Sequence, residues 1–255
     1  MKKRIFKWEN AVPKILIVVI VYLCYLFVPL TRQPVKIGAT YMTMNNTFYT
    51  VINDEIRKRT DANGDVKKTL DPALSIKKQC QQIETFIRED FDVIVINPVS
   101  GNSKMLNSAL KKARAYGIKI IAVDSQLKET KNVDCTIVSD NYNAGVLCAK
   151  DMMKNMSEAK IVLLKNWNAL SVKDRYQGFS DTIKGKPNYR IVEQVETLGQ
   201  TEIAMPKMQE TIRKGIDFNV VMALIDQSAI GSLAAVDSQK IRKKVRVYGI
   251  DGSAN

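Results

Sequence analysis

The chain has 255 residues, enough for one large domain or two smaller ones, and its hydrophobic content of 45% is typical of a globular protein. Its formal net charge is +13, from 39 Lys and Arg against 26 Asp and Glu. No aromatic-rich nucleic-acid motif accompanies this charge, so we interpret it as a solvated basic surface. The absence of histidine and of any C-x-x-C pair excludes Ser-His-Asp and Cys-His catalysis and argues against a metal site.

Residues 1–34 have the layout of a membrane signal. A basic start with KKR at residues 2–4 precedes an uncharged apolar run from Ile15 to Leu30. As a helix this run is roughly 24 Å long, short for a hydrocarbon core of about 30 Å. No cleavage site follows it, and Cys24 lies too far inside the run for a lipoprotein signal. We therefore expect an uncleaved signal anchor, one transmembrane helix, with everything after Thr31 outside the cytoplasm.

From Val35 onward, apolar strands alternate with amphipathic helices. The predicted strands are, in chain order, VKIGATYM, DVKKTLD, DVIVINP, IKIIAVD, DCTIVSD, AKIVLLKN, YRIVEQVE, FNVVMAL and VRVYGID. The lysines of DVKKTLD mark it as an edge strand. The predicted helices are Asn46 to Arg59, one opened by Pro72, Lys104 to Tyr116, Asn143 to Met156, one carrying Val172 to Ile183, Glu202 to Lys214, and Gln227 to Gln239. This alternation indicates parallel sheets covered on both faces.

The number of strands is too large for one small sheet. The polar segment SQLKETKNVDC, Ser125 to Cys135, interrupts the pattern near the middle of the chain. We therefore predict an α/β fold of two doubly wound parallel-sheet lobes behind the N-terminal segment. The first lobe is expected to span residues 35–127, and the second lobe, with the start of a return to the first, residues 128–255.

Polar side chains follow strands in both predicted lobes. In open α/β sheets, ligands bind beyond the carboxyl ends of the strands. Those ends carry Asn45, Asn46, Asn97, Asp124, Asn166 and Asp251. One such residue is usually a turn residue or a helix cap, and Asn46 could simply cap the helix whose buried face begins at Phe48. Amides and carboxylates at so many strand ends favour a polar cleft between the lobes.

Seven segments of the chain carry a family resemblance: YMTMNNTFY, DVIVINP, GIKIIAVDS, IVSDNYNAG, KDRYQGF, DQSAIGSLAAV and VRVYGIDG. They run in family order over Val35 to Asn255. On these segments the chain resembles a periplasmic sugar-binding protein of the ribose-binding type, a group that shares its fold with LacI-type regulators. The resemblance implies two lobes that close over a small polar ligand, usually a sugar.

The resemblance also implies ligand-binding residues in both lobes: Asn46, Phe48, Tyr49, Asn97, Asp124, Arg175, Ile225 and Asp251. Carboxylates would accept hydrogen bonds from hydroxyls, Arg175 would donate from the second lobe, and Phe48 would cover the C–H face of a sugar. Asp124 and Asp251 would both act from the side of the first lobe. The alternatives are turn caps for the two carboxylates, a surface charge for Arg175 and a core residue for Phe48. Trp167 could cover the cleft or pack at its rim.

Two residues depart from the ribose binders. Ser125 stands after Asp124 where they have an arginine, and Ile225 stands before Asp226 where they have a ligand-binding asparagine. We expect Ile225 to favour a ligand with an apolar edge, such as a deoxy sugar, or a non-sugar signal. Alternatively, Ile225 turns into the core and Asp226 or Gln227 takes its place. The chain also stops soon after GIDG, where family members continue, so it resembles a truncated member.

The function predicted from these features is that of a membrane-tethered extracytoplasmic solute-binding protein for an ABC permease. The alternative is a ligand-sensing ectodomain that partners a membrane sensor histidine kinase. A LacI-like regulator is disfavoured because the apolar run occupies the place of the helix-turn-helix. An α/β enzyme is disfavoured because the chain has no G-x-G-x-x-G, no G-x-x-x-x-G-K-[ST] and no G-x-S-x-G. No cofactor or nucleic-acid partner is expected.

Overall fold

The computed structural model describes residues 12–27, 32–241 and 245–253. The chain divides into two compact units, residues 1–35 and 36–255. Residues 1–11 of the predicted signal anchor, and residues 28–30 at the end of its apolar run, lie outside the described residues.

The first unit contains one helix, α1, Val12–Phe27. Its 16 residues correspond to roughly 24 Å, less than a hydrocarbon core of about 30 Å. Within the described ranges, no helix is both long enough and apolar enough to cross a membrane. The transmembrane helix predicted over Ile15 to Leu30 is therefore not supported.

The second unit contains two parallel sheets. The first has the strand order β2-β1-β3-β4-β5, with β1 Lys36–Thr40, β2 Val66–Leu70, β3 Val93–Ile96, β4 Lys119–Val123 and β5 Cys135–Ile137. The second has the order β7-β6-β8-β9, with β6 Ala159–Lys165, β7 Tyr189–Glu196, β8 Val220–Ala223 and β9 Arg246–Tyr248. The predicted α/β fold with two parallel sheets is confirmed, and β2 is the edge strand that its lysines predicted.

Helices connect the strands of both sheets. Those between β1 and β4 are α2 Thr47–Ala62, α3 Ile76–Arg88 and α4 Lys104–Ala115. A single 3-10 turn, Thr130–Asn132, precedes β5. The later helices are α5 Asn141–Asn155, α6 Leu170–Ile183, α7 Thr201–Arg213 and α8 Asp226–Ser238.

The polar segment Ser125 to Cys135 does not end the first sheet. It leads through the 3-10 turn into β5, which pairs with β4. The first sheet therefore extends to Ile137, past the boundary predicted between residues 127 and 128. The segment DCTIVSD is predicted as a strand, but its short, exposed sequence does not indicate which sheet it joins.

The start of α3 also differs from the prediction. Pro72 does not open this helix; the helix begins at Ile76 and is capped by Ser75, whose hydroxyl accepts the Lys78 N–H. Ala73 and Leu74 between them have positive φ angles, and the Leu74 N–H donates to the Met42 carbonyl at 2.8 Å. This bond ties the segment to the loop after β1 and delays the helix.

The core follows the two-residue period of the strands. In β3, Val95 packs into a cluster that spans both sheets, whereas Ile94 and Ile96 face a second cluster with α3 and α4. In β8, Met222 faces the shared cluster and Val221 a third one. Both faces of each sheet are thus covered, as continuous apolar strands require.

Candidate functional site

A cavity lies where the carboxyl ends of strands from both sheets meet. From the first-sheet side, the loop after β1, the start of α2 and the residue after β4 contribute Met42, Asn46, Phe48, Tyr49 and Asp124. From the second-sheet side, the loops after β6 to β9 and the start of α6 contribute Asn166, Ala169, Ser171, Val172, Arg175, Gly199, Ile225 and Asp251. This is where ligands bind in open α/β sheets. Of the eight predicted site residues, all except Asn97 line the cavity.

The start of α2 supplies a cap and two aromatic rings. Asn46 is buried and caps the helix, because its Oδ1 accepts the Phe48 N–H at 2.9 Å. Phe48 is half-buried and meets the ring of Tyr49 edge to face, with 5.7 Å between centroids. Asn46 therefore caps the helix and also lines the cavity, and the two rings that follow it line the cavity as well.

Asp124, at the end of β4, is held by neutral donors. Its Oδ2 accepts from the Tyr49 hydroxyl at 3.2 Å and from Asn97 Nδ2 at 3.0 Å. Asp124 has a φ of +65°, a region that is strained for a residue with a side chain. Strained residues of this kind cluster at functional sites.

Asn97 stands behind Asp124 rather than in the cavity wall. It is fully buried, and its amide also donates to the Val123 carbonyl and accepts the Met42 N–H. The predicted direct contact of Asn97 with a ligand is not what the geometry shows. Its polar atoms are already used, and its role in the structure is to fix the carboxylate of Asp124.

Arg175 lies on α6 and is 5% exposed. Its Nε donates to Asn141 Oδ1 at 2.8 Å, and its Nη1 donates to the Leu224 carbonyl at 2.7 Å and to Asp251 Oδ1 at 2.9 Å. The guanidinium is therefore a fixed buried cation between α5, the end of β8 and the end of β9, and it is not the surface charge that sequence reasoning left open.

Two glycines position Arg175, because they allow the backbones of α5 and α6 to pack in close contact. A Cβ on Gly145 would lie 1.9 Å from the Arg175 carbonyl oxygen, and one on Gly178 would lie 1.9 Å from that of Tyr142. Any side chain at either position would push the helices apart. Arg175 would then lose its alignment with Asn141, which stands at the start of α5.

Asp251 follows β9, and β9 belongs to the second sheet. The expectation that Asp251 acts from the side of the first lobe is therefore wrong. Its φ of +133° is strained for a non-glycine residue, as at Asp124. The loop is fastened by Asp226, whose N–H donates to the Ile250 carbonyl and whose Oδ2 accepts the Ser253 N–H.

Burial dominates the electrostatics of the two carboxylates. It raises the pKa of Asp251 to about 6, although the Arg175 guanidinium favours the charged form. It also raises the pKa of Asp124, against the opposing effects of Arg175 and of the hydrogen bonds from Tyr49 and Asn97. Burial and the neighbouring Asp124 raise the pKa of Tyr49 well above its ordinary value, so Tyr49 remains a neutral donor.

The remaining wall of the cavity is apolar. Ile225, two residues after the end of β8, lines it together with Met42, Ala169 and Val172. Gly199 leaves room for Ile225, because a Cβ there would lie 2.7 Å from Ile225 Cδ1. Ile225 thus faces the cavity, and Gln227, its suggested substitute, instead accepts the Thr201 hydroxyl at 2.8 Å.

Some cavity residues were not among the predicted site residues. Asn166 follows β6, so the strand-end rule alone pointed to it. Ser171 and Gly199 carry no comparable signal in the sequence. Trp167 does not line the cavity; it stacks edge to face on Tyr176 and lies under the Lys165 ammonium, which is packing at the rim.

Hydrogen bonds join the two sides around the cavity. The Ser171 N–H donates to Ser125 Oγ at 3.3 Å, and Gln126 Nε2 donates to Asp174 Oδ2 at 2.6 Å. Asn45 Nδ2 donates to Glu202 Oε1 at 3.2 Å. The small side chain of Ser125 therefore serves as a contact between the two sides.

The cavity is narrow. It offers about 20 Å³ to the centre of a water molecule, which is roughly room for one water. Its polar side chains fill the middle by bonding to one another, as Arg175 does with Asp251 and Tyr49 with Asp124. A ligand larger than water needs these bonds to be exchanged and the two sides to separate. In the described part of the chain, no group of three or more His, Cys, Asp or Glu could hold a metal ion.

Comparison with known proteins identifies the family of the chain. A model of the periplasmic binding protein domain matches residues 37–255. The ribose import binding protein RbsB of Bacillus subtilis is 26% identical over 224 residues, which are 87% of this chain and 71% of that protein. These relatives are solute-binding proteins and not enzymes, as the sequence predicted.

Solved structures show the same fold. A solute binding protein of an ABC transporter from Mycobacterium smegmatis, with bound glycerol, superposes with a TM-score of 0.80 at 28% identity, over 86% of this chain and 76% of that one. The fructose binding periplasmic domain of a hybrid two-component system gives a TM-score of 0.80 at 21% identity, over 87% and 73% of the chains. The family resemblance seen in the sequence is confirmed: the chain belongs to the periplasmic binding protein family.

Proposed function

We propose that the chain is an extracytoplasmic binding protein that closes over a small polyhydroxylated ligand of the sugar type. The observation that carries this proposal is the meeting of Asp124, Arg175 and Asp251 in one cavity at the strand ends of both sheets. Two buried carboxylates accept hydroxyl protons, and a guanidinium donates to ring or hydroxyl oxygens. Phe48 covers the C–H face of the same ligand.

The internal bonds of the cavity suit ligand exchange. Asp124 and Asp251 already accept hydrogen bonds, and a hydroxylated ligand replaces or adds to them without leaving a charge unpaired. The bonds between Ser125 and Ser171 and between Asn45 and Glu202 join the two sides of the narrow cavity. Closure over a ligand thus adds these contacts to those the ligand makes itself.

Import is the role we favour for the bound complex. Relatives named as import binding proteins for ribose and for D-apiose match 87% and 82% of this chain. By analogy, the chain passes its ligand to an ABC permease. The second candidate is signalling, which the fold of the fructose binding domain of a hybrid two-component system favours. In that role the closed form presents itself to a membrane sensor histidine kinase.

Calorimetry on the full chain tests ligand binding. The titrants are pentoses, hexoses, their deoxy derivatives, glycerol and myo-inositol. We expect at least one sugar or polyol to bind, and Arg175→Lys to weaken it at least tenfold, because an ammonium cannot reproduce the fork of three bonds. Lys112→Arg, at an exposed pair with Glu84, is the matched control and should bind normally. Binding that survives Arg175→Lys unchanged would place the ligand elsewhere.

A second experiment separates import from signalling. Uptake of the radiolabelled ligand is measured in cells with and without this chain, and transcription induced by the same ligand is followed in parallel. Loss of uptake on deletion supports import. Retained uptake with loss of the transcriptional response supports the sensor role.

A further inference from the structure

We propose that the ligand of this cavity has one edge without a hydroxyl group, such as a deoxy carbon or a methyl group, and that Ile225 selects for it. This inference rests on the proposed function, since it names the class of sugar that the same cavity prefers. It concerns the apolar wall, formed by Met42, Ala169, Val172 and Ile225.

The cavity is amphipathic. Asp124, Arg175 and Asp251 supply charge to its lining, whereas the four residues of the apolar wall supply no side-chain donor and no acceptor stronger than the Met42 thioether. Asn166 is the polar side chain beside this wall, and its Oδ1 already accepts the Asn168 N–H at 3.2 Å. A hydroxyl placed against Ile225 would lose its water and gain no side-chain partner from that residue.

Residues next to Ile225 do not replace the missing polar group. The carboxylate of Asp226 holds the loop after β9 through the Ser253 N–H. The amide oxygen of Gln227 accepts the Thr201 hydroxyl. Both side chains serve the structure around the site, so neither replaces the polar group that Ile225 lacks.

Ile225 stands at the start of α8, where a polar capping residue is usual. Ile225 is the N-cap residue of the helix, with extended backbone at φ −149° and no side-chain capping bond. Asn, Asp and Ser are preferred at this position, and isoleucine is among the poorest choices. Helix capping therefore does not account for Ile225, whose side chain packs against the shared core cluster and lines the cavity.

Matched sugar pairs test the inference on the full chain. Calorimetry compares D-galactose with 6-deoxy-D-galactose, D-glucose with 6-deoxy-D-glucose, and D-ribose with its 2-deoxy and 5-deoxy forms. We expect the deoxy member of at least one pair to bind about tenfold or more tightly than its parent, since a buried hydroxyl without a partner is penalised by that order. Ile225→Asn should shrink or reverse this preference.

The variants are chosen to keep the protein folded. Ile225→Asn adds a capping side chain to α8, and a melting curve checks that the fold is retained. Leu147→Asn makes the same kind of change at an exposed position of α5 outside the cavity, and it should leave the preference unchanged. Parent sugars that bind as tightly as their deoxy forms, or a preference that survives Ile225→Asn, would overturn the role of Ile225 and leave the proposed function standing. If no sugar or polyol binds, the proposed function fails and this inference fails with it.

Discussion

The two sides of the cavity hold their carboxylates in different ways. Asp124 on the first-sheet side rests on neutral donors, the Tyr49 hydroxyl and the Asn97 amide. Asp251 on the second-sheet side rests on the charged Arg175 at 2.9 Å. Burial nevertheless raises the pKa of both carboxyl groups. Neither arrangement compensates fully for the lost water, so both carboxylates remain ready to accept hydrogen bonds from a ligand.

Arg175 should give the largest effect, because both carboxylates depend on its charge. Arg175→Ala leaves Asp251 and Asp124 buried without their cation, and removing one partner of a buried ion pair is penalised by about 3–5 kcal/mol. We expect the free energy of unfolding to fall by that amount and ligand affinity to fall more than a hundredfold. Urea denaturation and calorimetry measure the two effects.

The exposed pair of Lys112 and Glu84 provides the control for this change. Lys112→Ala should alter the free energy of unfolding by no more than about 0.5 kcal/mol, because exposed ion pairs contribute little. Equal losses in Arg175→Ala and Lys112→Ala would show that the second-sheet side is not organised around its cation.

The two carboxylates come next. Asp124→Asn and Asp251→Asn keep the shape of the side chain and remove its charge. Each should weaken the ligand about ten- to hundredfold, the value of one charged hydrogen bond of about 1.5–3 kcal/mol. Calorimetry on both variants measures it. A loss in only one of them would mean that the ligand bonds to one side of the cavity and that the other carboxylate acts in closure.

Much of this site could be predicted from the sequence, because strand ends and the order of family segments are local features. The strand-end rule found Asp124 and Asp251. It could not tell that Asn97 turns behind Asp124, since the direction of that side chain depends on the register between β3 and β4. The sequence also led to the wrong side for Asp251, because nothing in the residues of β9 indicates that this strand pairs with β8 in the second sheet.

The fold shows the same division between local and long-range information. Periodicity predicted the helices and all nine strands that the structure describes. It did not predict that β5 pairs with β4, because the three exposed residues of β5 carry no pattern that assigns them to a sheet. The close contact of α5 and α6 depends on Gly145 and Gly178, whose importance appears only when the two helices are placed together. Such features are set by packing and not by propensity.

Stability should depend on pH through Asp251. Its pKa rises on folding from an ordinary 3.8 to about 6, so between these values the folded protein holds a proton that the unfolded chain has released. The contribution of this group to the free energy of unfolding therefore falls as pH rises from about 4 to about 6, and it is constant above. Asp251→Asn removes this dependence, so between pH 4.5 and pH 7.5 its free energy of unfolding should rise by about 1–3 kcal/mol relative to that of the wild type.

Urea denaturation of both proteins at pH 4.5 and pH 7.5 measures this difference. Relative to the wild type, the variant should gain stability from pH 4.5 to pH 7.5, although its ligand affinity falls. Asp124→Asn should shift in the same direction, because burial also raises the pKa of Asp124. A gap between variant and wild type that is the same at both pH values would show that Asp251 is not desolvated on folding.

The smallest expected effect belongs to the rim, where the two sides meet through an exposed hydrogen bond. Asn45 Nδ2 donates to Glu202 Oε1 at 3.2 Å, outside the cavity lining. Asn45→Ala should speed ligand release about threefold, because an exposed hydrogen bond contributes a fraction of a kcal/mol to the closed form. Stopped-flow dissociation measures this rate, with Glu202→Ala as the matched change. If the bond acts only in closure, the double variant should be no faster than either single variant, since both remove the same interaction. Additive effects in that cycle would mean that Asn45 and Glu202 act separately, and that closure depends on the buried contact between Ser125 and Ser171 instead.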